Sequence, residues 1–168
     1  MGQILNYISY KIVNLFILMQ KRSMIHKIKK YPNIDKSVIL GLNVELIGPE
    51  LAFIIGKRTY INDAILSTGI ESTITIGKNC AIGYRVSIKA VTHNIKNPCP
   101  DENGNVASFE KDIVIGDYCW IGDNVFIREG VTLGKNVVVG ANTVVTKSFP
   151  NNVIIAGVPA KIISGMNA

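Results

Sequence analysis

His93 is the side chain in this sequence best suited to moving a proton. An imidazole changes charge near neutral pH and can take a proton from a hydroxyl or an amine. The only other histidine, His26, lies in a basic segment near the N-terminus and reads as solvated. A stretch of 21 residues, 94–114, follows His93 directly and carries two prolines and an Asn-Gly turn. Loops of that length in compact domains are usually functional or disordered. The pairing describes a base at a corner with a loop able to cover it, although an incidental corner histidine fits the same position. A zinc site needs several histidines or cysteines. Beyond residue 32 there is one histidine, and the three cysteines show no C-x-x-C spacing, so no metal is expected. Cys80 and Cys119 read as small buried hydrophobes, Cys99 sits in the loop, and nothing calls for a disulfide. A reducing cytoplasm is the expected compartment.

The elements that must position His93 follow a period of six. An aliphatic residue opens each unit at Ile115, Ile121, Ile127, Leu133, Val139 and Val145, and Gly follows at 116, 122, 134 and 140. Four residues after each opener stand Cys119, Val125, Val131, Val137, Thr143 and Phe149. The same beat runs through Ile76, Ile82 and Ile88, with Cys80, Val86 and Thr92 in the second inward place. Traces appear at Ile34, Leu40, Leu46, Ile55 and Ile61. A helix repeats its apolar face every three to four residues and a strand every two. Six suits a short strand plus a corner, the hexapeptide signature of a parallel β-helix. The expected fold is all-β, a parallel β-helix of about five coils in residues 33–163 with a long loop, 94–114, after the third coil. The first coil, Ile34 to Leu51, is degenerate, and the second, Ile55 to Thr75, carries about three extra residues. A sixth is begun and abandoned, and residues 164–168 read as a loose tail.

Residues 1–32 form a helical arm. Ile4, Leu5, Ile8, Ile12, Leu15, Phe16 and Met19 recur at helical spacing until Pro32 stops the helix. Residues 1–36 hold seven basic residues and one acid, and the remainder holds eleven of each, so the whole net charge of +6 sits in the arm. A neutral body does not track nucleic acid. The arm either caps the open end of the stack or lies on an anionic membrane surface, with its apolar face inserted. The run Leu15 to Met19 is too short for a span. No cleavable signal peptide is expected, since an early basic region and a small-residue cleavage site are missing.

The segment from Tyr60 to Ile163 resembles the hexapeptide-repeat acyltransferases, in particular the galactoside, maltose and polysaccharide O-acetyltransferase branch. The resemblance rests on Tyr60-Ile61-Asn62, Thr92-His93, Trp120-Ile121-Gly122, Gly130 to Gly134, Val144 to Lys147, and Ala156-Gly157-Val158-Pro159-Ala160-Lys161. It implies a left-handed β-helix, a homotrimer, and acetyl-CoA as acyl donor to a sugar hydroxyl, that of a surface polysaccharide or its precursor. N-acetylation of a nucleotide-linked amino sugar or another small acceptor is the alternative, and a non-catalytic β-helix binding protein is the alternative of another class.

The resemblance makes His93 the general base. It places Asn62 and Trp120 at the acceptor, and Lys147 and Lys161 on cofactor phosphates. Gly140, Ala141 and Thr146 lie along the pantetheine arm, and Ala160 is a further cofactor-binding residue. Two positions depart from the pattern: Asn94 stands where Pro often follows the histidine, and Ser164 stands where many members carry an arginine. His93 and Trp120 fall at different corners, about one side of the prism apart, roughly 15–20 Å at strand rise. A site shared between subunits is therefore expected.

Overall fold

The computed structural model describes residues 2–96, 99–100, 102–104 and 106–166. After one helix, α1 (Gly2–Lys29), almost all regular structure is short strand. The strands form three parallel sheets around one core. The first holds Phe53–Ile55, Ile74–Ile76, Ile113–Ile115 and Thr132–Leu133. The second holds Ile39–Leu40, Tyr60–Ile61, Ala81–Ile82, Trp120–Ile121, Val138–Val139 and Val153–Ala156. The third holds Glu45–Ile47, Ala64–Ser67, Val86–Lys89, Phe126–Ile127 and Val144–Val145. The chain visits the sheets in that order and then returns to the first, so each strand pairs with its counterpart one winding on. The openers Ile55, Ile61, Ile76, Ile82, Ile88, Ile115, Ile121 and Ile127 are all buried and stack into the core.

Two local devices make the corners. The residue three after the opener has positive φ, at Arg58, Asn79, Arg85, Tyr118, Asn124, Asn136 and Asn142. Asn tolerates this left-handed region better than other non-glycine residues. These side chains also bond up the stack: Asn124 Nδ2 donates to Asn142 Oδ1 at 3.0 Å, and Asn136 Nδ2 to Asn152 Oδ1 at 2.9 Å. The glycine after the opener serves a different need. A Cβ on Gly116 would stand 2.6 Å from the Gly134 backbone, so its lack of side chain lets neighbouring windings touch.

Stacked corners lie 18 residues apart at Asn124 and Asn142, but 39 apart at Arg85 and Asn124, across the long insertion. The first winding is longer than its sequence suggests: Ile34 pairs with Ile55, and the short 3-10 turn Glu50–Ala52 takes up the added residues. Thr92 is exposed rather than inward, because Ala90 fills the core and the chain then leaves the stack. Residues 164 and 165 are not loose. The strand Lys161–Gly165 folds back antiparallel on Val153–Ala156, satisfying the last edge of the second sheet. Residues 167 and 168 lie outside the described residues.

The base of α1 closes the first winding. Lys27 Nζ donates to the Val44 carbonyl, Ile28 and Tyr31 are buried, and the Tyr31 ring meets Phe53 edge-on at 5.7 Å. Above that base, the side chains from Tyr7 to Met19 stay largely exposed. No helix among the described residues is long and apolar enough to cross a membrane.

Candidate active site

His93 ends the strand Val91–His93, which pairs antiparallel with Ser108–Glu110 so that His93 lies opposite Ser108. The expected loop 94–114 is therefore partly ordered: it starts as a hairpin and ends in the sheet strand Ile113–Ile115. Two acids clamp the hairpin to the preceding turn. Glu110 Oε2 accepts from the N–H groups of Glu71 (3.0 Å) and Ser72 (3.1 Å) and from the Ser72 hydroxyl (3.1 Å). Asp112 Oδ1 accepts from the Thr73 N–H at 2.7 Å and its hydroxyl at 3.0 Å. Gly69 leaves the room, since a Cβ there would fall 1.9 Å from the Glu110 carboxyl carbon. Partial burial pushes the Glu110 carboxyl up, but the donors from Glu71, Ser72 and Ser108 outweigh it and hold its pKa below the usual glutamate value.

The edge between the third and first sheets gathers several of the candidate side chains. Ile88, Ile127 and Val145 are register partners in successive windings. Just beyond them come, in turn, the His93 hairpin, Arg128-Glu129 and Thr146-Lys147. Two winding spacings separate the first level from the last, about 10 Å at ordinary strand spacing. His93 lines a groove of about 250 Å3 with Thr92, Ile95, Phe109, Arg128 and Glu129. Glu129 is a carboxylate left only 8% exposed, and both Arg128 Nε (2.9 Å) and Nη2 donate to its Oε1. The guanidinium is fixed in place with part of its surface open, its charge reinforced by that carboxylate.

The other expected site residues scatter over one subunit. Asn62 follows the second-sheet strand Tyr60–Ile61, and its N–H is spent on the Ile82 carbonyl. Trp120 faces outward from the second sheet and is 58% exposed. Neither lines the His93 groove. Thr146 and Lys147 are exposed on the shared edge, with Lys147 Nζ 5.7 Å from the Phe149 ring. Gly140 packs on Ala156, and Ala141 is exposed. The N–H groups of Gly140, Asn142 and Val144 bond within the stack, so they are not free for a pantetheine arm. Ala160 is 2% exposed, and its N–H bonds Val144 O. That bond seats the exposed Lys161 next to the Val144 strand. No cluster of three metal-ligating side chains occurs among the described residues. A hydrogen bond with Cys80 and then burial push the Cys119 thiol up, and it donates to the Gly134 carbonyl at 3.1 Å, so it is an inert core group.

Sequence periodicity did not single out Glu110, Asp112, Arg128 or Glu129. The corner asparagines could have been found, since Asn recurs three residues after the opener at 79, 124, 136 and 142.

Residues 112–147 match the family described as bacterial transferase hexapeptide (six repeats). The chain is 39% identical over 113 residues to the galactoside O-acetyltransferase of Escherichia coli K12, covering 67% of this chain and 54% of that protein. It is 37% identical over 134 residues to a protein of the same organism that bears the name of a lipopolysaccharide biosynthesis O-acetyl transferase, covering 76% and 67%. Among solved structures, a maltose O-acetyltransferase from Clostridium difficile 630 superposes with a TM-score of 0.71 at 28% identity, over 83% of this chain and 72% of that one. A galactoside acetyltransferase in complex with coenzyme A gives 0.62 at 32% identity, over 77% and 64%. The chain therefore belongs to the hexapeptide-repeat transferases, within the group that holds these sugar O-acetyltransferases. It spans between about half and two thirds of the length of these curated relatives.

Proposed function

We propose that the protein transfers the acetyl group of acetyl-CoA to a hydroxyl of a sugar, in a surface polysaccharide or its precursor, with His93 as general base. Residues 33–163 are the catalytic domain, a left-handed β-helix of about five coils that works as a homotrimer in the cytoplasm. The observation that carries the reading is the edge on which His93, Arg128 and Lys147 stand at successive levels of the stack. That row suits an extended, anionic cofactor laid along the stack, with its thioester near His93 and its phosphates near the cations. The relatives support the donor and the acceptor class.

In the reaction, the acceptor oxygen forms a bond to the acetyl carbonyl carbon while His93 takes the hydroxyl proton. The carbon–sulfur bond then breaks, and His93 returns the proton to the thiolate, giving the acetyl ester and free CoA. A backbone N–H of a neighbouring coil stabilises the oxyanion between these steps. Arg128, held by Glu129, and the lysines at 147 and 161 hold the cofactor. Asn62 and Trp120 of an adjoining subunit complete the acceptor site, because their own subunit keeps them away from its His93 groove.

The test is release of CoA thiol from acetyl-CoA with a panel of sugars and glycans. Acceptor-dependent release is expected to fall by roughly two orders of magnitude or more in His93→Ala. Acetyl-CoA that fails to bind at millimolar concentration would overturn the reading, and so would a His93→Ala protein as active as the wild type.

A further inference from the structure

The upper part of α1 keeps its apolar side chains in water. Ile8, Ile12, Leu15, Phe16 and Met19 share one face and are 50–62% exposed. The rest of the helix surface mixes Asn6, Ser9, Lys11, Asn14 and Gln20 with Tyr7, Tyr10, Val13, Ile17 and Leu18, which are also exposed. A helix with this much uncovered apolar surface needs a second phase or a partner. The first acid in the chain is Asp35, and six lysines or arginines precede it. At the base of α1, a groove of about 490 Å3 opens between Ile25, Ile28, Ile34 and Val38, with Lys29 and Lys36 among its lining.

We propose that α1 and this groove dock the protein on an anionic phospholipid bilayer. The helix lies in the interface with Ile8, Ile12, Leu15, Phe16 and Met19 among the acyl chains. One lipid tail fills the basal groove, and Lys29 and Lys36 meet its phosphate. A second copy of the helix explains the surface less well. It would bring together two segments that each carry six basic side chains and no acid, without a counter-charge. A bilayer surface bearing acidic headgroups takes up the apolar stripe and supplies the counter-charge. The inference does not rest on the proposed reaction.

Co-sedimentation of the full chain with vesicles of phosphatidylcholine alone or mixed with phosphatidylglycerol tests it. Binding is expected to the anionic vesicles, to weaken from ~0.05 M to ~0.5 M salt, and to be slight with the neutral ones. Ile12→Glu with Phe16→Glu abolishes it. Arg22→Gln, Lys29→Gln and Lys36→Gln together weaken it about 100-fold, at about fivefold per charge near the surface. Both variants keep the melting temperature of the wild type. A measurement without variants runs beside these: amide hydrogens of residues 6–20 exchange more slowly when anionic vesicles are added. Wild-type protein that stays in solution overturns the proposal, as does unchanged binding by the charge variant. A second copy is the occupant if the apolar-face variant dissociates an oligomer and anionic vesicles leave exchange unaltered.

Discussion

Arg128 and Glu129 lie midway along the edge from His93 to Lys147, and the pair shows how single residues act here. Glu129 is buried and Arg128 is partly open, so the carboxylate acts chiefly to aim the guanidinium. Glu129→Gln is expected to raise the KM for acetyl-CoA more than it lowers kcat, because the aimed cation is lost and His93 is not. Thermal melting would show a loss of about 1–3 kcal/mol from the disturbed buried bonds. A change confined to kcat would assign Glu129 to His93 instead. His93 stands out as a candidate in the sequence because it is the lone histidine of the repeat body with a long insertion behind it. Arg128 and Glu129 do not, because they occupy the outward places of a hexapeptide, which obey no apolar rhythm. Their place beside His93 arises only when the windings stack.

The hairpin that carries His93 is an element held by side chains rather than by the core. Glu110 and Asp112 tie it to residues 71–73. Glu110→Gln should speed hydrogen exchange at the Glu71 and Ser72 amides and lower activity, while the sheets stay protected. The pH dependence has a definite sign. The folded pKa of Glu110 lies below the ordinary value of 4.5. Its stabilisation is therefore present above that value and disappears as pH falls through the folded pKa. Acid-induced loosening of the hairpin should be absent in the glutamine variant. The corners offer a second check. Gly116→Ala drives a Cβ into the Gly134 backbone and should cost about 1–3 kcal/mol in a denaturant melt. The strands themselves were readable from the six-residue beat. The beat could not show that residues 108–110 return as a strand, or that Lys161–Gly165 folds back, because both pairings are antiparallel and sit outside the repeat.

For the whole molecule, the outward faces matter more than the core. Ile39, Tyr60, Ala81, Trp120, Val138 and Ile154 are register partners and form an apolar column on the outside of the second sheet. The proposed trimer would face this column, and Trp120 with it, against a neighbour's His93 edge. Mixed trimers then give a direct reading. His93→Ala and Trp120→Ala proteins, each inactive alone, should regain activity in about one site in four when unfolded and refolded together. No recovery would confine the site to one subunit. The stride of the stack has a consequence for how such a protein can change over generations. Arg85 reaches Asn124 across 39 residues as well as Asn124 reaches Asn142 across 18, so the scaffold is indifferent to what is inserted at the hairpin. Length changes between His93 and Ser108 should therefore leave the register of the windings unaltered. Between Ile115 and Pro150, a frame shift of one residue would turn a whole core column to water, and lineages should tolerate length changes only by whole windings.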